Sequence, residues 1–391
     1  MIYKPREDSE LLAKYVKKYA FGLVLDIGTG SGIQALEAAK KRNVKKVIAV
    51  DIQKEVIDYC KENIKNKKIV FKQSDLFSNI KNIRFDTITF NPPYLPEDIK
   101  LKDLTIDGGK KGYEVIERCL DDVNDYLKPN GIILIVFSSL TKKEKVDEFI
   151  KNNLLKEKVL DKKHIFFEDL YAYLIEKSSL LKDLEKKKSK NIKYLTKGSR
   201  GILYTADYGS KKVVIKKKLP ESKAIGRIGN EIGYLKILNK KGIGPTLLFS
   251  NKDYFVYEYI DGLFVLDFIE NLANNKKSLK DIKNIIKNVF DQCFIMDKLM
   301  IDKEEMHHPL KHIIIQNKTL KPYLVDFERC HKTEKPKNVT QFSMFLISGH
   351  LKKLLEEKGI KVNRDKIIEL CKKYKKEQNK ENLKLISNEI Q

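Results

Sequence analysis

The chain has 391 residues, with 78 Lys and Arg against 54 Asp and Glu and a formal net charge of +24. That length favours two domains over one. The charge excess favours polyanionic surroundings such as RNA or the ribosome, although the lysines are spread along the whole chain and a generally lysine-rich composition accounts for it equally well. No apolar run reaches the ~18 residues needed to cross a membrane, and Met1-Ile-Tyr-Lys-Pro-Arg lacks the apolar core of a signal peptide. Cys60, Cys119, Cys293, Cys330 and Cys371 form no C-x-x-C pair, which argues against a disulfide frame or a cysteine zinc site and for a reduced, cytoplasmic protein.

The first half alternates helical and extended patterns, the signature of a mostly parallel sheet covered by helices on both faces. Helices are predicted near 7–19, 32–42, 54–65, 111–127 and 141–153, and strands near 22–27, 46–51, 68–73, 85–90 and 131–138. A final strand pair near 156–162 and 170–177 closes the sheet. Asp8 or Ser9 suits the N-cap of the first helix. The charged run Leu184-Glu-Lys-Lys-Lys-Ser-Lys-Asn191 reads as a linker over 181–192, separating a domain at 1–180 from one at 193–391. Beyond it strands come first and helices later, as in a two-lobed α+β domain. Tyr194–Tyr204 reads as strand, glycine turn and strand, and Lys212–Lys216 as a third strand. Helical patterns dominate from about 265 to 300 and again after 338.

Chemistry concentrates at the strand ends of the first half. Leu23-Val-Leu-Asp-Ile-Gly-Thr-Gly-Ser-Gly-Ile33 runs an apolar strand into Gly28, Gly30 and Gly32, where a ligand can approach the backbone and free N–H groups of a helix start. The spacing is G-x-G-x-G, not the dinucleotide G-x-G-x-x-G. Asp26 ahead of it suits a ligand with an ammonium group. Asp51 ends the second strand, where an acid can grip ribose hydroxyls. Asp75 follows the third and can accept from an adenine amino group, with Leu76 beside it as ring lining or ordinary core. The fourth strand ends in Asn91-Pro92-Pro93-Tyr94. Proline has a fixed φ and no N–H, so this elbow presents acceptors, the Asn91 amide oxygen and backbone carbonyls, that suit a planar NH2 group. Tyr94 adds a flat face.

This elbow resembles the Asn-Pro-Pro-Tyr motif of methyltransferases that alkylate planar nitrogens. Together with the glycine loop and the acids it makes the first half similar to Rossmann-like, S-adenosylmethionine-dependent methyltransferases. Tyr3-Lys-Pro-Arg-Glu-Asp-Ser9, Ile106-Asp-Gly-Gly-Lys-Lys-Gly112 and Ser138-Ser-Leu-Thr141 resemble segments of the release-factor glutamine methyltransferases, archaeal and eukaryotic type. The resemblance implies a cofactor pocket of Ser9, Asp26, Gly28, Thr29, Gly30, Gly32, Asp51, Asp75, Leu76 and Asn91, with Asn91, Pro92 and Tyr94 at the reacting nitrogen. It also implies a glutamine of the Gly-Gly-Gln loop of a translation release factor as acceptor, and a small zinc-binding activator subunit as partner. Adenine N6 or guanine N2 of a nucleic acid fits the same elbow, and the net charge of +24 supports it.

In the second half Gly198-Ser199-Arg200-Gly201, Lys216 and Glu231 line up like a kinase amino lobe, whose strand lysine bridges phosphates and a helix glutamate. Leu324-Val-Asp-Phe-Glu-Arg329 resembles the Asp-Phe-Gly step, with Glu328 in place of Gly. The region resembles small archaeal kinase-like proteins related to the RIO kinases. That implies ATP held by Gly198, Ser199, Lys216, Glu231 and Asp326, with Mg2+ on Asp326. The catalytic loop departs from the pattern: in His307-His-Pro-Leu-Lys-His-Ile-Ile-Ile315, His312 falls where Asn is usual and no Asp is present, leaving His307 as a replacement base or the domain as a pseudokinase. A translation-linked atypical kinase or nucleotide sensor is a third reading of the whole chain.

Overall fold

The computed structural model describes residues 3–96, 107–198, 201–219 and 227–390. The chain forms two compact units, Met1–Tyr194 and Leu195–Gln391.

In the first unit the elements run α1 (Glu7–Tyr19), β1 (Gly22–Ile27), α2 (Ile33–Ala39), β2 (Val44–Asp51), α3 (Lys54–Asn63), β3 (Ile69–Gln73) and β4 (Phe85–Phe90). They continue through α4 (Glu114–Tyr126), β5 (Leu127–Ser138), α5 (Lys143–Asn152), β6 (Leu155–Ile165), β7 (Glu168–Lys177) and α6 (Ser179–Lys186). The strands form one seven-stranded sheet in the order β3-β2-β1-β4-β5-β7-β6. β1 pairs in parallel with β2 and β4, and β7 runs antiparallel to β5. Strand order reverses at β1, so β1 and β4 flank the switch point where open α/β sheets bind ligands. The central strands are apolar on both faces because helices cover both. Leu11, Leu12, Val16, Ala35 and Ala38 pack into the core on Val24 and Val47, and α4 and α5 bury Ile116, Leu120, Val146 and Ile150.

Two local expectations change. α1 starts at Glu7 with Arg6 at its N-cap and no side-chain cap. Asp8 and Ser9 lie inside the first turn, buried, with Asp8 only 4% exposed. Acidic Glu7, Asp8 and Glu10 at one end and basic Lys17 and Lys18 at the other oppose the helix dipole favourably. The segment 181–192 is not a bare linker. Its first half belongs to α6, which buries Leu181 and Leu184 three residues apart and sets Glu185 2.5 Å from the fully buried ammonium of Lys177. Its second half enters the strand β8 (Ser189–Lys197). Four lysines masked an apolar stripe that needs only two leucines.

The second unit continues with β9 (Gly201–Tyr208), β10 (Lys211–Lys218), α7 (Arg227–Asn239), β11 (Leu247–Ser250) and β12 (Tyr254–Glu258). These strands form a five-stranded sheet in the order β11-β12-β10-β9-β8, and every pairing from β9 to β11 is antiparallel. There follow β13 (Gly262–Phe264), α8 (Val265–Glu270), the long α9 (Lys276–Lys298), β14 (Ile301–Lys303), β15 (Ile313–Gln316), β16 (Pro322–Leu324) and β17 (Cys330–Lys332). Helices α10 (Asn338–Leu346), α11 (Gly349–Glu357), α12 (Arg364–Lys376) and α13 (Lys380–Asn388) complete the unit. Strands first and helices later is the order the sequence predicts. All five cysteines are buried and free.

The loop Asp107–Gly112 lies directly against the elbow. Gly108 donates its N–H to the Leu95 carbonyl at 2.8 Å. A Cβ at Gly108 would stand 2.4 Å from the Gly112 carbonyl oxygen and 2.6 Å from that of Pro93, both main chain. Gly108→Ala should therefore cost about 1–3 kcal/mol through forced backbone movement. Gly229→Ala, on a helix with nothing within 4 Å, should be neutral or stabilising by up to about 1 kcal/mol. Thermal denaturation of the two variants checks the contrast.

Candidate functional site

The parallel register sets Ile27 beside Phe90, so the glycine loop and the Asn-Pro-Pro-Tyr elbow leave neighbouring strand ends. Between them opens a cavity of about 440 Å³ lined by Gly28, Gly30, Asp51, Asp75, Asn91 and Tyr94 among others. Ser9, Thr29, Leu76 and Pro92 also reach its wall. Asp26 and Gly32 do not.

Asp26 turns inward. Its two carboxylate oxygens accept from the hydroxyls of Thr29 and Thr89, each at 2.7 Å. Burial pushes its pKa up to about 6, against the pull of those two hydroxyls. Asp26 therefore holds the loop from behind instead of meeting a ligand. Gly32 caps α2 with a φ of 82°, a left-handed conformation that glycine adopts without strain.

Asp51 faces the cavity. It accepts from the Gly30 N–H at 3.1 Å and the Gln53 N–H at 3.0 Å, and burial raises its pKa above the ordinary carboxylate value. Each oxygen keeps a second lone pair for a ligand hydroxyl. Asp75 is half-exposed and paired with Arg118 of α4 at 2.6 Å.

At the elbow, the Asn91 Nδ2 donates to Asp8 Oδ2 at 3.0 Å, while Asn91 Oδ1 is buried and accepts from no group in the protein. Asp8 also accepts from Tyr3 Oη at 3.0 Å, from the Ser9 N–H at 2.6 Å and from Tyr94 Oη at 3.4 Å. Tyr3 reaches over the glycine loop: a Cβ on Gly30 would lie 3.9 Å from the Tyr3 Cβ. The Ser138–Thr141 segment supports the elbow from the other side. Thr141 donates its hydroxyl to the Tyr94 carbonyl at 3.4 Å, and Ser138 donates to Glu168 on the cavity wall.

In the second unit Lys216 of β10 pairs with Glu231 of α7 at 2.6 Å, with Asp326 at 3.3 Å and with Glu328 at 3.9 Å. One oxygen from each of Glu231, Asp326 and Glu328 lies within 4.8 Å of the other two. Burial works against the Lys216 ammonium, but Glu231 and Asp326 outweigh it and hold its pKa above the ordinary value. Burial would raise Asp326, yet Lys216 and Lys303 keep it below. Lys303 is fully buried, pairs with Glu305 at 3.1 Å and donates to the Asp326 carbonyl. The His312 Nδ1 is buried without a hydrogen-bond partner, whereas His307 is exposed, its ring at the Glu304 carbonyl. Gly198 lies at the end of β8, and Ser199 falls outside the described residues.

A family model described as the methyltransferase small domain matches residues 6–167. A Methanocaldococcus jannaschii protein named "putative protein N5-glutamine methyltransferase" is 39% identical over 176 residues, which cover 43% of this chain and 88% of that one. This chain belongs to that methyltransferase family. A release factor glutamine methyltransferase of Streptococcus pneumoniae is 37% identical over 124 residues, 29% of this chain and 44% of that enzyme, so the match spans less than half its length. Among solved structures, the E. cuniculi Mtq2–Trm112 complex aligns at 24% identity with a TM-score of 0.38, over 45% of this chain and 99% of that one.

The methyltransferase depends on S-adenosylmethionine, and the cavity fits such a cofactor. Its volume lies within the roughly 300–1,000 Å³ of small-molecule sites, close-approach backbone at Gly28 and Gly30 lines one wall, and carboxylates stand at both Asp51 and Asp75. Tyr3, Asp8, Arg118 and Glu168 of this methyltransferase were not singled out as site residues by sequence. Arg118 and Glu168 carry no local signal. Tyr3 and Asp8 did have one, in the Tyr3–Ser9 segment on which the resemblance rests.

The raised pKa of Asp26 has a measurable sign. A carboxyl whose folded pKa (about 6) lies above its unfolded value (3.8) favours folding only when protonated. Its contribution is most favourable below pH 4 and is lost as pH rises to 6, by up to roughly 3 kcal/mol. Asp26→Asn keeps the shape and cannot ionise. In urea titrations of the ligand-free methyltransferase, the stability of Asp26→Asn relative to the natural chain should rise between pH 4 and pH 6 and level off above.

Proposed function

We propose that this methyltransferase alkylates the side-chain amide nitrogen of a protein glutamine, in the Gly-Gly-Gln loop of a translation release factor. The observation that carries the reading is Asn91, which lines the cavity beside Pro92, Pro93 and Tyr94 and whose buried Oδ1 accepts from no group in the protein. A buried acceptor without a partner calls for a donor, and a carboxamide NH2 is one. The names of the relatives support glutamine over other planar nitrogens.

Ser9, Gly28, Thr29, Gly30, Asp51, Asp75, Leu76 and Asn91 would hold the cofactor, with Asp26 and Gly32 fixing the loop that contacts it. When bound, the cofactor supplies an electrophilic methyl group together with its own leaving group, so no protein nucleophile is needed. What the chain must do is hold the amide nitrogen in line, about 3 Å from the methyl carbon. A carboxamide nitrogen is a poor nucleophile because its lone pair is delocalised. Asn91 Oδ1 and the Pro92 carbonyl would accept its two N–H groups, raise electron density on nitrogen, and bind more strongly as positive charge develops there, and one of those two protons then leaves to solvent so that the product is a neutral N-methyl amide. Tyr94 stacks on the amide plane.

Nucleic-acid methylation is the second reading, and the net charge of +24 favours it. Transfer of labelled methyl from cofactor decides between them. Label should appear on release factor, vanish when the Gly-Gly-Gln glutamine is replaced, and fall about 10²–10³-fold with Asn91→Ala, the scale of losing one preorganised hydrogen-bonding group. Label in RNA that resists protease would reverse the ranking. A small zinc-binding activator is the partner implied by likeness to the archaeal and eukaryotic branch, and the setting is cytoplasmic. Among the described residues no helix is long and apolar enough to cross a membrane.

The second unit is read as a RIO-like, kinase-like nucleotide site. Support comes from the Lys216–Glu231 pair and from the carboxylates Asp326 and Glu328 beside it, an oxygen set that Mg2+ accepts. ATP with Mg2+ is the proposed ligand. Phosphotransfer is not part of the reading, because His307–Ile315 contains no carboxylate base. Lys216→Ala should weaken Mg-ATP binding at least about tenfold, or 1.4 kcal/mol, by titration calorimetry. No heat from the natural chain would reduce the unit to scaffold.

A further inference from the structure

An asparagine side chain has a donor end and an acceptor end of nearly the same shape, and its environment decides which end faces a pocket. At Asn91 that environment is Asp8, on the first turn of α1, 83 residues away in sequence and 3.0 Å away in space. An ionised carboxylate only accepts. The Nδ2 end must therefore point at Asp8, and the Oδ1 end must point away from it.

Asp8 is itself fixed by donors. Tyr3 Oη lies 3.0 and 3.2 Å from its two oxygens, the Ser9 N–H 2.6 Å and the Ser9 hydroxyl 3.3 Å from Oδ1, and Tyr94 Oη 3.4 Å from Oδ2. Burial first, and then the Asp8 charge, raise the Tyr3 and Tyr94 phenol pKa values, so both stay protonated donors. Gln34 Nε2 anchors the same turn by donating to the Ser9 carbonyl at 2.9 Å.

We propose that Asp8 is a positioning residue that sets the hydrogen-bond polarity of the acceptor pocket, holding the Asn91 amide so that its oxygen alone meets the incoming nitrogen. The assignment rests on the reading of Asn91 as the acceptor for a substrate N–H. With the amide reversed, Nδ2–H would face the substrate NH2, donor against donor. The same carboxylate ties Tyr3 over the glycine loop and Tyr94 to the elbow, so one group aligns the cofactor side and the acceptor side of the cleft.

Asp8→Asn tests it. The change preserves size, but the new amide can donate to Asn91 Oδ1 and reverse the side chain. On the full-length chain, kcat toward a glutamine-bearing release factor should fall about 100-fold, within the range for losing one preorganised group. Cofactor affinity by calorimetry should fall by less than kcat does, because the glycine loop and Asp51 keep their own contacts. Asp8→Glu, still an acceptor only, should recover part of the loss. A second readout needs no acceptor substrate: the Asn91 Nδ2 protons, assigned by their loss in Asn91→Ala, should exchange slowly with solvent in the natural chain and in Asp8→Glu, and faster in Asp8→Asn. An unchanged kcat in Asp8→Asn, or equal exchange in all three, overturns the proposal. So does an equal loss in Asp8→Asn and Asp8→Glu that tracks a fall in melting temperature, which marks a purely structural carboxylate. If the natural chain transfers nothing to release factor while the exchange pattern holds, the acceptor assignment fails and the role of Asp8 stands.

Discussion

The parallel pairing of β1 with β4 is the constraint on which the first unit turns. It sets Ile27 level with Phe90 at the point where strand order reverses. Two loops that begin 63 residues apart therefore start side by side, one with glycine backbone and one with a proline-stiffened run of acceptors. Thr89 couples them further, since it lies in β4 yet donates to Asp26 of β1. A slip of one residue in this pairing would turn every side chain of β4 to the opposite face, and the cavity would lose its Asn91 wall.

Much of this was legible in the sequence because it depends on local rules. Apolar runs of strand length, glycines after the first, acids after the second and third, and the Asn-Pro-Pro-Tyr turn each carry their own signal. Strand positions follow the pattern closely, and β1 and β4 fall at the predicted residues. What the sequence hid depends on contacts between distant residues. Asp26 reads as a ligand group by its position, yet Thr29 and Thr89 satisfy it from behind the wall. Asp75 reads as free, yet Arg118 pairs with it from a helix with no apparent link to it. Asp8 reads as a cap, but the cap of α1 is Arg6, two residues earlier, and Asp8 turns its carboxylate toward the elbow.

The second unit repeats the lesson with buried charge. The resemblance to a kinase amino lobe pairs Lys216 with Glu231, and they meet at 2.6 Å. Lys303 could not, because a lysine in a chain so rich in them reads as a solvated residue. It is instead fully buried, with Glu305 and the Asp326 carbonyl as partners. An unpaired ammonium in that position would be costly, so the partners are a condition of its being there. Asp326 itself sits at a φ of 61°, a left-handed conformation that aspartate adopts more readily than most residues other than glycine, and Lys303 donates to its carbonyl.

The cavity wall is assembled from pieces of chain that run from Tyr3 to Leu170. No short segment can grip a ligand alone, so whatever binds there binds the folded unit and not the unfolded chain. Occupancy at a hundredfold excess over Kd then adds about 2.7 kcal/mol to the unfolding free energy. The fraction of molecules open to proteases drops about 100-fold with it. A cell short of the ligand would thus shorten the lifetime of this protein as well as slow its turnover, tying its abundance to metabolic supply through folding alone.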